Sequence, residues 1–283
     1  MKKALLLFFV YLSFCVSAQE NKEIRLLVRG DDIGSFASAN QACIDACTKG
    51  IVKSLEVMVT CAWFPEAATM LNENPSIDVG VHLTLTSEWT NVKWRPLTNA
   101  PSLTDENGNF YPFIWPNKDK PGLSIQEAKW KLSEIEAEFR AQIELAKKCI
   151  RNVTHISAHM GSSNWDKDVE AMTQKLAKEY GLYNGNPQTK PFPKMNASRA
   201  DSHEKRISAF IEALGKLEPG NTYVFVEHPA YDTPEMRTVG HVGYEDVATD
   251  REGVTRMFTD ERVKNFIKTK GIKLIGYNDV LTH

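Results

Sequence analysis

The chain predicts an α/β fold, a (β/α) barrel of about seven parallel strands, and two observations carry that expectation. Short apolar runs alternate with amphipathic helical stretches from residue 24 to the C-terminal region, and the 283-residue length suits one large domain better than two. Seven such runs separated by helices imply a parallel sheet with helices outside. The length favours a closed or nearly closed barrel over an open doubly wound sheet.

Residues 1–18 stand apart from this pattern. Lys2-Lys3, an apolar stretch from Ala4 to Val16 and the small residues Ser17-Ala18 have the three sections of a secretory signal peptide. The apolar stretch is short for a membrane span. Bulky Phe14 before Cys15 argues for ordinary cleavage after Ala18 rather than a lipoprotein site. The expectation is therefore an exported protein, periplasmic or extracellular, whose residues 19–283 form a single domain.

The elements follow in order from their periodicity. A strand is expected over 24–28, a helix over 38–49 closing at Gly50, a strand over 55–60, a helix over 65–72 and a strand over 78–83. A loop rich in Pro, Trp and Asn spans 84–122. The longest regular helix follows over 125–148, its apolar residues recurring at three- and four-residue steps, and then a strand over 153–157. A helix over 166–180, a short strand over 182–184, a Pro-rich loop to Asp201, a helix over 203–217 and a strand over 222–226 continue the alternation. The last unit reads as a loop over 231–258, a helix over 260–270 and a strand over 273–275.

Composition excludes some functions. Hydrophobic residues make up 42% of the chain and the formal net charge is -2, so no basic stripe points to nucleic acid. Gly30-Asp31-Asp32-Ile33-Gly34 lacks the glycine spacing and the lysine of a phosphate-binding loop. Cys43, Cys47, Cys61 and Cys149 lack zinc-ribbon spacing and read as small apolar core residues.

The chemistry gathers at strand ends. The first apolar run stops in Asp31-Asp32, a pair that an interior would not bury unaided. His82 closes the third strand, His159 lies just past the fourth and His228 just past the sixth. Parallel strands present their C-terminal ends on one face, so these five side chains should meet in one mouth. One carboxylate and two imidazoles are a common ligand set for a divalent ion with open positions for water and substrate.

Five segments in order, Arg29-Gly30-Asp31-Asp32-Ile33-Gly34, Gly50-Ile51-Val52-Lys53-Ser54, Gly80-Val81-His82-Leu83-Thr84-Leu85-Thr86, Thr154-His155-Ile156-Ser157-Ala158-His159 and His228-Pro229-Ala230, resemble the YdjC-like carbohydrate deacetylase family. The resemblance extends over nearly all of residues 19–283. It implies a divergent (β/α) barrel and hydrolysis of N-acetyl groups on amino sugars by one divalent metal ion. Carried onto this chain, it makes Asp32, His82 and His159 the ligands and Asp31 the base; the metal is Zn, Mg, Mn, Co or Ni. Two departures stand out: many members continue past the fourth motif with further histidines where this chain has Met160-Gly161-Ser162, and Gly30 replaces the usual Ala.

The remaining roles come from the residues themselves. His228 is the candidate general acid. Among the loop aromatics Trp89, Trp94, Trp115, Trp165 and Tyr231, which offer faces to a sugar ring, Trp165 and Tyr231 are the expected substrate contacts. Arg251 with Asp250 reads as a surface ion pair, His203, His241 and His283 as ordinary surface residues, and His155 as buried or beside the site. The partner implied is an acetylated amino sugar. Two other readings are a catalytically silent carbohydrate-binding protein and a glycoside hydrolase; the second suffers because adjacent Asp residues rarely face each other at the roughly 5 Å that retention needs.

Overall fold

A computed structural model describes residues 23–185 and 189–281. The expected signal peptide over 1–18 and His283 lie outside the described residues. Along the chain the regular elements are β1 (Ile24–Ile33), α1 (Ala37–Thr48), β2 (Ser54–Val57), α2 (Phe64–Glu73), β3 (Asp78–Leu83), α3 (Leu132–Cys149) and β4 (Val153–Ala158). They continue with α4 (Lys167–Tyr180), β5 (Lys190–Pro191), α5 (His203–Gly215), β6 (Thr222–Glu227), α6 (Val247–Thr259), α7 (Glu261–Lys270), β7 (Ile272–Ile275) and α8 (Asn278–Leu281).

Every strand pairing is parallel, and the sheet runs β4-β3-β2-β1-β6-β5 with β7 also paired to β1. β1 is the hub: Arg25 to Gly30 pair with β6, Ile24 to Leu27 with β7, and Arg29 to Ile33 with β2. Such a strand is covered on both faces, and Leu26, Leu27 and Val28 are fully buried. Buried faces of α1, α2, α3 and α4 supply the helical layer, for example Ile135, Phe139 and Ile143 of α3. The barrel leaves a seam between β4 and β5. Tyr183 bridges part of it, pairing with His155 of β4.

Three expectations need correction. The short strand expected over 182–184 is reduced to the single Tyr183 bridge, and the fifth strand lies at Lys190–Pro191, where Pro sits at a sheet edge. The helix expected from 125 starts at Leu132. Residues 125–127 form one 3₁₀ turn tied by Ser124 Oγ to Glu127, and extended Ala128 stops it. The loop expected over 231–258 contains α6, whose buried Val247, Ala248, Arg251, Val254, Thr255 and Phe258 follow a helical period. Gly253, the β-branched residues and an arginine in the core stripe conceal that helix from propensity. The four cysteines among the described residues are free: Cys43 and Cys61 are buried, Cys47 and Cys149 partly so. No helix among the described residues is long and apolar enough to cross a membrane.

β1 runs five residues past its expected end, through both aspartates. Opposite β2 its register shifts, Gly30 pairing with Leu55 and Ile33 with Val57, so three steps on β1 face two on β2. This is a β-bulge. The turn that follows is closed by Ser35, whose N–H and Oγ both donate to the Asp32 carbonyl at 3.2 and 2.6 Å. Gly34 has φ +101°, its N–H donates to Asn40 Oδ1 at 2.6 Å, and a Cβ there would stand 2.8 Å from the Met58 carbonyl oxygen. Gly34→Ala should therefore destabilise the fold by about 1–3 kcal/mol. Urea denaturation followed by circular dichroism reads this directly; a parent-like midpoint would contradict it.

Candidate metal centre

In a regular strand two neighbouring side chains point to opposite faces. The bulge removes that separation. Asp32 takes φ +71°, a left-handed conformation that Asp tolerates better than most residues, and both carboxylates line one cavity of about 490 Å³. Asp31 and Asp32 are almost fully buried there.

Each carboxylate has its own arginine. Arg29, two residues before Asp31 on the same face of β1, donates from Nε to Oδ1 at 2.7 Å and from Nη2 to Oδ2 at 2.8 Å. Arg251 of α6 donates from Nη2 to Asp32 Oδ2 at 2.9 Å and lies over Trp89, 5.4 Å from the ring centre. Burial acts to raise the Asp32 pKa, but Arg251, then His228 and His159, hold it well below the usual carboxylate range.

Asp32 Oδ1 is buried without a hydrogen-bond partner. It lies 3.4 Å from His159 Nδ1 and 3.6 Å from His82 Nε2, and one ligand atom from each of these three residues falls within 4.8 Å of the others. Atoms each about 2.0–2.2 Å from a tetrahedral ion sit at comparable separations, so the orphaned oxygen and two imidazole nitrogens fit a divalent cation. The surrounding charge fits too. Four carboxylates, Asp31, Asp32, Glu56 and Glu88, gather around the imidazoles, and among them Arg29 meets Asp31 and Glu56 while Arg251 meets Asp32.

Both imidazoles are oriented from behind. His82 Nδ1 lies 2.8 Å from Ser157 Oγ, which donates to Glu56 Oε2; His159 Nε2 lies 3.2 Å from Glu88 Oε2. Burial pushes the His82 pKa down to about 4, leaving a neutral ring at neutral pH. Burial opposes the charge on His159 as well, yet Glu88 and then Asp32 raise its pKa to about 10. Without a cation this ring carries the positive charge that the carboxylates demand.

The structure thus brings Asp31, Asp32, His82, His159 and His228 to one cavity, as their strand-end positions predict. His228 stands at the rim, its side chain 40% exposed and Nδ1 3.8 Å from Glu227 Oε2. Against the cost of burial, Asp32 and Glu227 raise its pKa. His155 is fully buried, its Nε2 2.7 Å from Glu56 Oε1 and its ring stacked on Tyr277.

Trp165 and Tyr231 do not line this cavity. Trp165 donates to the Ser162 carbonyl and packs edge-on against Trp130; the Tyr231 hydroxyl donates to Asp45 at 2.7 Å. Both anchor loops. The aromatic lining is Trp89, with His241 stacked on it at 5.7 Å, and Tyr244, so His241 is not the ordinary surface residue expected. Arg251 makes no surface pair with Asp250, which bonds Arg206 and Tyr244 instead. Sequence reasoning also missed Glu56, Glu88 and Arg29. Arg29 alone had a local signal, its two-residue spacing from Asp31. Met160, at φ +47°, and Gly161, at φ +73°, turn the chain sharply after His159, and Trp115 rests on Gly161 where no Cβ would fit.

A family model described as YdjC-like protein matches residues 25–269. "Carbohydrate deacetylase 2" of Listeria innocua is 25% identical over 91% of this chain and 99% of its own length. "Carbohydrate deacetylase" of Thermus thermophilus is 32% identical over 65% of this chain and 70% of its own, and "Chitooligosaccharide deacetylase" of Yersinia enterocolitica is 24% identical over 90% and 98%. A solved structure from Enterococcus faecalis, provisionally described as a cellobiose-phosphate cleavage protein, superposes with a TM-score of 0.71 at 24% identity, covering 91% of this chain and 98% of that one. A mutant CE4 family pseudoenzyme shares the fold more distantly, at a TM-score of 0.50 and 10% identity over 93% of this chain and 68% of that one. The match spans Asp31, Asp32, His82, His159 and His228, and this chain belongs to the YdjC-like family.

Proposed function

We propose that this protein is a metal-dependent carbohydrate deacetylase, removing N-acetyl groups from amino sugars, free or within oligosaccharides and glycoconjugates. The observation that carries this reading is the cluster of Asp32, His82 and His159 with a second carboxylate, Asp31, delivered beside it by the same bulge. Relatives named carbohydrate deacetylase and chitooligosaccharide deacetylase support it.

A divalent ion held by Asp32, His82 and His159 supplies, when bound, a Lewis acid that polarises an amide carbonyl and makes water a stronger acid. Two imidazoles and one carboxylate suit Zn, Mn, Co or Ni better than Mg, which prefers oxygen ligands. Asp31 takes the proton of the attacking water. Its Oδ2 lies 3.6 Å from His82 Nε2, and the two-pronged Arg29 contact fixes that orientation. His228, at the rim, gives a proton to the departing amine. Trp89, His241 and Tyr244 wall the cavity and offer ring faces to a sugar, while Ala158 and Gly161 are shared with an adjoining polar cavity of about 330 Å³. Retention of Asp31 and all three ligands favours turnover over silent binding.

Three outcomes follow. His82→Ala or His159→Ala should lower metal content measured by atomic spectroscopy, because two remaining ligands make an open, weak site; stoichiometric metal in either variant would refute the ligand set. Asp31→Asn should keep the metal and reduce acetate release from acetylated glucosamine oligomers by on the order of 10²–10⁴-fold, the usual range for losing a general base. A parent-like rate would remove Asp31 from that role. Finally, we propose that the protein is exported and acts in the periplasm or outside the cell after cleavage near Ala18. N-terminal sequencing of protein from its native host should begin near Gln19, and a retained Met1 in the cytoplasm would overturn the export reading.

A further inference from the structure

We propose that Glu56, acting through Ser157, is a positioning residue that fixes which ring nitrogen of His82 carries the proton, and thereby sets the affinity of the metal site. This rests on the metal-centre reading above, in which His82 is a ligand.

Glu56 lies on β2, fully buried, and donors surround its carboxylate: Ser157 Oγ at 2.5 Å on Oε2, His155 Nε2 at 2.7 Å on Oε1, Ser54 Oγ at 3.3 Å and Arg29 Nε at 4.0 Å. A serine hydroxyl has one proton. Given to Glu56, it leaves Ser157 Oγ able only to accept from its other neighbour, His82 Nδ1, at 2.8 Å. Nδ1 is then the protonated nitrogen of His82. The lone pair on Nε2 faces Asp31 Oδ2 and Asp32 Oδ1, each 3.6 Å away, where a metal ligand is required.

The surroundings are built to admit this relay. Gly80, beside it on β3, leaves the space that Glu56 and His155 fill, since a Cβ there would fall 2.1 Å from Glu56 Oε2 and 2.4 Å from His155 Nε2. Behind His155 the chain of contacts continues through Thr154 Oγ1, 2.8 Å from Nδ1, to Asp78, whose other oxygen accepts the Tyr277 N–H. The relay is therefore tied to the backbone following β7. Nothing in the proposed reaction uses Glu56 or Ser157 directly, which leaves buried Glu56 and partly buried Ser157 with a positioning role.

The test reads metal binding and ring protonation without substrate. Zinc affinity of the full-length mature protein is measured by competition with a chelating dye, and ¹⁵N NMR of the metal-free protein reports which His82 nitrogen bears hydrogen. Ser157→Ala should weaken zinc binding about 10–100-fold, the range for losing such an outer partner, while Ser157→Thr, which restores a hydroxyl, stays within a few-fold of the parent. Glu56→Gln should turn the relay round: its amide donates to Ser157, whose proton then points at Nδ1, and the ring proton moves to Nε2. Parent-like zinc affinity in Ser157→Ala, equal losses in the Ala and Thr variants, or an unprotonated Nδ1 in the parent would each overturn the proposal. A parent that binds zinc but releases no acetate would overturn the deacetylase reading and leave this one standing.

Discussion

Everything at this site depends on one extra residue in one strand. A regular β1 would send Asp31 and Asp32 to opposite faces, and one of two buried carboxylates would then have no cation to meet. The bulge between Gly30 and Ile33 and the left-handed turn at Asp32 place both on the same cavity. A non-glycine residue in that conformation costs on the order of 1–3 kcal/mol. The surroundings hold it there: Ser35 grips the Asp32 carbonyl twice, Asn40 takes the Gly34 N–H and Met58 donates to Ile33.

The same constraint explains the charges. Two carboxylates forced together in a buried cavity repel, and each is neutralised from a different direction. Arg29 arrives from the same strand and Arg251 from a helix 219 positions away. The separation leaves the two acids differently engaged. Asp31 has both oxygens engaged by one guanidinium, whereas Asp32 gives only Oδ2 to Arg251 and keeps Oδ1 for the imidazoles. Glu88 and Glu56 add further negative charge behind His159 and His82.

How much of this was readable in the sequence follows from range. The strand-end positions of His82, His159 and His228 were legible, because parallel strands align their C-terminal ends whatever the loops do. The bulge was not, since period-2 reasoning has no term for an inserted residue. Arg251 was hidden by its own chemistry: an arginine in the buried stripe of α6 breaks the apolar pattern that would reveal the helix, and its partner lies at the other end of the chain. Glu56 reads as an ordinary polar residue in a strand until the fold sets His155 and Ser157 against it. His241 escaped notice for a related reason, as it reaches the cavity from a loop through its stacking on Trp89. Trp165 and Tyr231 carried the right chemistry for sugar stacking, but hydrogen bonds to Ser162 and Asp45 hold them elsewhere.

The central claim of the proposed function is that the bulge divides the aspartate pair, Asp32 turning Oδ1 to a metal and Asp31 staying off it in the grip of Arg29. Anomalous diffraction from crystals of the metal-loaded protein tests this most directly. The account predicts one peak about 2.0–2.2 Å from Asp32 Oδ1, His82 Nε2 and His159 Nδ1, with Asp31 still gripped by Arg29. A peak coordinated by both aspartates, or one away from these three residues, would contradict it.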